Sequence, residues 1–175
     1  MNSLLGSTSA PTFDDPLEML QACHGRIEAQ CVTLHRLVDH LATQEHDEQA
    51  VQAARAILRY FDTAGQHHHQ DEEQDLFPQL LSTQDQTAAS IITRLLQEHK
   101  TMEAAWQSLR PLLMSIAAAQ SKTVDASIAR HFIDVYAKHI ELENETLLPL
   151  AATLLNNEKL RAIGQSMAAR RGVSI

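Results

Sequence analysis

Four segments of this chain place residues of core type at alternating steps of three and four, and that recurrence restricts the fold more than any other feature. The first stripe runs Leu17, Leu20, His24, Ile27, Cys31, Leu34, Val38 and Leu41. The second runs Val51, Ala54, Leu58, Phe61, Gly65, His68, Glu72 and Leu76. The third is Ile92, Leu95, His99, Met102, Trp106, Leu109, Leu113 and Ile116. The fourth is Ile128, Phe132, Val135, His139, Glu143, Leu147 and Leu150, with Leu142 beside Glu143. Steps averaging near 3.6 put each set on one face of a helix, and one-sided helices bury those faces against each other. Polar joints near 42–47, 82–88 and 118–124 are short, so consecutive helices run antiparallel. Only five Gly and five Pro occur in 175 residues, too few turn formers for a sandwich or barrel of short strands.

The expected architecture is therefore all-α: an antiparallel up-down four-helix bundle with a short C-terminal fifth helix. Asp15-Pro16-Leu17-Glu18 reads as a capped helix start, so the bundle spans 15–155 after a flexible, Ser/Thr-rich segment, 1–14. Residues 156–175 hold the fifth helix, roughly 157–170, and a tail ending near Arg170-Arg171-Gly172.

Charge and composition exclude several roles. The formal net charge is −8 and no Lys/Arg run occurs, so neither nucleic acid nor an anionic membrane face is an expected partner. No apolar stretch reaches the ~18 residues of a membrane span, and the first residues lack the pattern of a secretory signal. Cys23 and Cys31 lie eight apart on one helix, ~12 Å at 1.5 Å per residue, too far for a disulfide. A reduced, cytoplasmic protein is the expectation.

Polar residues interrupt the stripes. Each contains one His, and the second and fourth also contain a Glu; such groups are costly on an apolar seam unless something pairs them. His68 and His139 are each followed by Glu at +4 and Pro at +10, a repeated His-x3-Glu-x5-Pro. The repeat singles out His68 from His67-His68-His69, leaving its neighbours ~100° off the seam as outer groups. Spacing of four stacks imidazole and carboxylate on one face, one turn apart. In an up-down bundle, residues on adjacent helices share a level when their sequence midpoint falls in the joint. The midpoints for His24/His68, His68/His99 and His99/His139 are 46, 83.5 and 119, all within joints. Four imidazoles and two carboxylates at one depth exceed the needs of a tetrahedral zinc. The all-N/O donor set suits iron or manganese, as two metals bridged by Glu72 and Glu143, each keeping an open position for a small ligand.

His24, His68-x3-Glu72, His99 and His139-x3-Glu143 together resemble the hemerythrin-like (HHE cation-binding) proteins, over residues 15 to 155. The resemblance implies His24, His68, His99 and His139 as metal ligands, with Glu72 and Glu143 bridging two iron ions in an oxo- or hydroxo-bridged centre. It implies a small partner, O2, nitric oxide or peroxide, bound for sensing, storage or detoxification. The alternatives are a di-iron enzyme acting on peroxide or nitric oxide, or an iron donor in iron–sulfur repair. Oxygen-carrying members have His-x3-His on the third helix and His-x4-Asp on the fourth. Here Glu103 follows His99 by four and Glu143 follows His139 by four, which argues against simple oxygen carriage. An extra Cys-bearing N-terminal module, common in the repair branch, is not part of this sequence. The sequence leaves open whether the chain acts as a homodimer.

Several residues keep two readings. Glu28 and Glu103 also follow a His by four, but Ile27 and Met102 hold the seam, so the two Glu are expected as acceptors for ligand imidazoles rather than as ligands. Gly25 and Gly65 make room for a ligand or a close helix, or are incidental. Tyr136 either donates toward a bound ligand or places its hydroxyl at the bundle edge. Pro78 and Pro149 should free the carbonyls of Gln74 and Glu145 and bend or end their helices, and Pro111 should kink the third. Cys23, Cys31 and Trp106 read most simply as core.

Overall fold

The computed structural model describes residues 11–44 and 46–174. Residues 1–10 of the segment expected to be flexible lie outside this range. Among the described residues there is no strand, and no helix is long and apolar enough to cross a membrane.

The first rod of the bundle is α1 (Pro16–Thr43). The second is composite: α2 (Glu48–Phe61), α3 (Ala64–Gln70), a π turn at Asp71–Leu76, then α4 (Phe77–Leu81). The third is α5 (Gln86–Ala117). The fourth joins α6 (Ala126–Leu142), a π turn at Glu143–Leu147 and α7 (Leu148–Leu154). The rods pack in a ring, α1 on α2, α2 on α5, α5 on α6 and α6 on α1, giving the up-down four-helix bundle. The fifth helix, α8 (Asn157–Arg170), lies across α1 and the first π turn.

An Asx side chain starts each rod and α8. Asp15, Asp47, Asp85, Asp125 and Asn156 each accept from a backbone N–H inside the first turn, at 2.8–3.0 Å. Each such cap satisfies a donor that the first turn leaves orphaned, typically contributing ~1 kcal/mol.

Two rods depart from the regular helices expected. The second breaks after Phe61, because Asp62 turns its carboxylate to the third rod, accepting from Trp106 Nε1 at 3.2 Å and from Arg110 at 2.9–3.1 Å. Within α2 the buried face runs Ala54, Ile57 and Phe61, so Ile57 takes the fully buried place and Leu58 is only half-buried. Pro78 and Pro149 do not end their rods. The carbonyl of Glu72 accepts from Phe77 N and that of Glu143 from Leu148 N, five residues on, in place of the usual four. The wider turn absorbs the clash of each proline ring with the carbonyl four residues back. Each proline then stands at the start of α4 or α7, where a missing N–H costs little. Pro111 sits inside α5 without breaking it.

The apolar core is in two parts. One contains Ile27, Leu34, Ile57, Phe61, Met102, Trp106, Leu109 and Phe132. The other contains Leu20, Leu76, Phe77, Leu80, Ile92, Leu95 and Leu147, with Ile163 and Met167 from α8. Between them, at one level, lie the buried histidines and glutamates.

The two glycines near that level differ. A Cβ on Gly25 would meet nothing within 4 Å, and the position is exposed. A Cβ on Gly65 would come within 3.2 Å of Phe61 Cδ1, on a ring held against Trp106, Phe132 and Tyr136. Gly25→Ala is expected to add ~1 kcal/mol, raising the thermal midpoint by about 2–4 °C. Gly65→Ala should lower it. Thermal unfolding of both variants measures this.

Candidate metal centre

The structure brings all six residues singled out by the sequence together. His24 comes from α1, His68 from α3, His99 from α5 and His139 from α6. Glu72 and Glu143 come from the two π turns. None is more than 5% exposed. They form two clusters that share both carboxylates: His24, His68, Glu72 and Glu143, and His99, His139, Glu72 and Glu143. Within each, one donor atom per residue lies within 4.8 Å of all the others.

Glu72 divides its oxygens between the clusters. Oε1 is 3.0 Å from His68 Nε2 and 3.7 Å from His24 Nε2, while Oε2 is 3.2 Å from His99 Nε2. Glu143 Oε2 lies 3.0 Å from His24 Nε2 and 3.3 Å from His139 Nε2. A carboxylate spread in this way between two pairs of imidazoles suits a bridge between two cations.

The donor chemistry fits cations better than internal hydrogen bonding. His99 Nδ1 donates to Glu73 Oε1 at 2.6 Å, and His139 Nδ1 to Glu98 Oε2 at 3.1 Å. With those protons directed outward, a neutral ring presents its lone pair at Nε2, and the two Nε2 atoms face each other at 3.2 Å. Two lone pairs at that distance repel unless a cation, or a proton held on His99, lies between them. His24 Nε2, His68 Nε2, Glu72 Oε2 and both oxygens of Glu143 are buried without an aligned hydrogen-bond partner, despite their short mutual approaches. Orphaned buried atoms of this kind are costly alone and are what a metal satisfies.

With no cation, the carboxylates favour the protonated forms of His24, His68 and His99. Burial pulls His24 down, but Glu143 and Glu72 outweigh it and raise its pKa to about 9. His68 is likewise raised against burial, by Glu72 and Cys23, and His99 by Glu72 and Glu73. Burial works to raise Glu72, yet His68 and its neighbours hold it well below the usual carboxylate range. The signs give a pH profile for the metal-free protein. The His24 contribution to stability is complete below its ordinary 6.5 and is lost as pH climbs through about 9. The Glu72 contribution is complete above its ordinary 4.5 and is lost as pH falls through its depressed pKa. Chelator-treated protein should therefore unfold at steadily lower temperature between pH 6.5 and 9, and metal loading near neutral pH should release protons.

The groups behind the imidazoles differ from those expected. Glu28 and Glu103 are exposed, and Glu103 accepts from Gln107 Nε2 at 2.6 Å on its own helix. The acceptors are Glu73, Glu98 and Asn144; His24 Nδ1 lies 2.6 Å from Asn144 Oδ1. A ring whose Nε2 points to the bundle axis turns Nδ1 toward a neighbouring rod, so its own helix cannot supply the partner. The available signal was adjacency: Glu73 and Asn144 each follow a core Glu, and Glu98 precedes His99.

His67 joins neither cluster. His69 stacks on His99 at 4.3 Å between ring centroids and lies 6.1 Å from Tyr136, and its Nε2 is buried without a partner. Burial and the neighbouring His99 keep His69 neutral, far below its ordinary pKa. Tyr136 is buried, not at the bundle edge. Cys23 and Cys31 are free and buried, and burial pushes the Cys31 thiol up to about 12. Trp106 is core, as expected. Asp71, wholly buried and paired with Arg170 and Arg171 of the C-terminal region, had no counterpart in the sequence reading.

A ring of four antiparallel rods enclosing two His/carboxylate clusters defines a bundle protein with a buried cation-binding centre. The chain matches the hemerythrin HHE cation-binding domain over residues 15–151, and it belongs to that family. A Haemophilus influenzae protein, described as uncharacterized, is 35% identical over 162 residues, covering 93% of both chains.

Proposed function

We propose that the chain holds two iron ions between the clusters, in an oxo- or hydroxo-bridged pair, and uses them to bind O2, nitric oxide or peroxide for sensing, storage or detoxification. His24 and His68 would hold one ion, His99 and His139 the other, with Glu72 and Glu143 shared. Bound there, an iron pair supplies a redox-active Lewis-acid centre with room for a small ligand. The observation carrying this reading is the pair of outward-donating rings, His99 and His139, whose Nε2 atoms face each other at 3.2 Å beside buried carboxylates.

The chain's own residues then have separable tasks. Glu73, Glu98 and Asn144 fix the tautomer and orientation of three rings. The apolar plugs on either side exclude water and strengthen every charge interaction between them. His69 offers an unpaired, neutral nitrogen beside His99.

The test is metal analysis of protein loaded with ferrous iron without oxygen, with absorption spectra before and after O2 or nitric oxide. About two irons per chain and a gas-dependent charge-transfer band are expected. Stoichiometric iron with a spectrum indifferent to O2, nitric oxide and peroxide would overturn the ligand-binding role. Failure to take up iron would overturn the di-iron reading.

A further inference from the structure

The centre is built from two half-sites with the same geometry and different chemistry. The first half of the chain supplies Cys23-His24 and His68-x3-Glu72-Glu73; the second supplies Glu98-His99 and His139-x3-Glu143-Asn144. The residue after each carboxylate partners the lone histidine of the opposite half: Glu73 takes His99 Nδ1 at 2.6 Å, and Asn144 takes His24 Nδ1 at 2.6 Å. The residue before each lone histidine stands behind the paired histidine of its own half. Glu98 Oε2 lies 3.1 Å from His139 Nδ1, whereas His68 Nδ1 has no aligned acceptor, and the side chain that interacts with its ring from that place in the sequence is the Cys23 thiol. One cluster is thus backed by two carboxylates, the other by an amide and a thiol.

We propose that the two cation positions are unequal: the His99/His139 position, backed by Glu73 and Glu98, binds its ion more tightly than the His24/His68 position does. The inference rests on the metal-binding reading above, though not on iron as the metal. A carboxylate accepting from Nδ1–H draws the proton away, makes Nε2 a better donor and adds negative charge; an amide oxygen accepts the same proton more weakly and adds no charge. Glu98 also binds Arg94 through Oε1 at 2.7 Å, so Glu73 carries the larger share of uncompensated charge. At the other position Arg26 Nη1 lies 3.5 Å from Cys23 Sγ, so a positive charge, not a carboxylate, stands beside the thiol of that half-site.

The experiment is an oxygen-free titration of metal-free protein with Co2+, followed by calorimetry and by absorbance. Native protein should bind in two steps about tenfold or more apart, since such outer carboxylates typically contribute 10–100-fold in affinity each. Glu73→Gln should weaken the tighter step by about 10–100-fold and close the gap. Asn144→Asp should strengthen the weaker step and close the gap from the other side, a gain that structural damage cannot mimic. Equal steps in native protein, or a gap unmoved by both variants, would overturn the inequality and leave two-metal binding intact. A native protein that takes up no Co2+ would overturn the metal-binding reading itself.

Discussion

A Glu72→Ala variant is expected to hold less than about one metal ion per chain under conditions that load the native protein with about two, because one side chain serves both positions. Its Oε1 lies 3.0 Å from His68 Nε2 and its Oε2 3.2 Å from His99 Nε2, so truncation removes an oxygen from each cluster. The remaining shared carboxylate, Glu143, presents a single oxygen, Oε2, to both clusters. Glu28→Ala provides the contrast. Glu28 also follows a histidine by four but is exposed, and its loss should leave metal content unchanged. Elemental analysis of the two variants, with circular dichroism to verify folding, separates a bridging role from a general effect of lost charge. Full loading of Glu72→Ala would overturn the shared-carboxylate arrangement.

Removing both arginines that face Asp71 should cost about 3–5 kcal/mol, because it leaves a buried carboxylate without a counter-charge. Asp71 has no solvent exposure. Arg171 reaches it with two nitrogens, Nη2 to Oδ2 at 2.6 Å and Nη1 to Oδ1 at 3.1 Å. Arg170 contacts it as well and extends to Asp75 at 2.8 Å, where Ser166 Oγ also donates at 2.7 Å. The cluster ties α8 and the residue following it to the first π turn, beside Glu72. An Arg170→Ala/Arg171→Ala double variant should therefore lower the thermal midpoint by roughly 10 °C. Its metal affinity should fall too, as the turn carrying Glu72 loosens. The His35–Asp39 pair, exposed on both sides at 3.5 Å, is the control: His35→Ala should change stability by less than about 1 kcal/mol. A double variant as stable as native would mean that another group, or water reaching the site, compensates Asp71.

The bundle was legible because its signals are local. An apolar step of three or four, an Asp before a helix and a short polar joint each act within a few residues. The six proposed ligands were legible for the same reason, since His-x3-Glu is one turn of helix and the midpoint rule needs only joint positions. The breaks were less so. Proline at +6 from each core Glu signalled a disturbance, but whether a rod ends, bends or widens depends on what packs around it. Here continuous burial on both sides of each turn favours widening over ending. The break at Asp62 depends on Trp106 and Arg110, 44 and 48 residues away.

The amino-acid order alone determined that four rods form, that they alternate in direction, and that four imidazoles and two carboxylates meet at one depth. Only tertiary structure decided what stands behind those imidazoles. Glu73 reaches His99 across 26 residues, Glu98 reaches His139 across 41, and Asn144 reaches His24 across 120. Those pairings depend on how far each rod is rotated about its own axis against its neighbours. Side-chain packing sets that angle, and periodicity within a single helix carries no record of it.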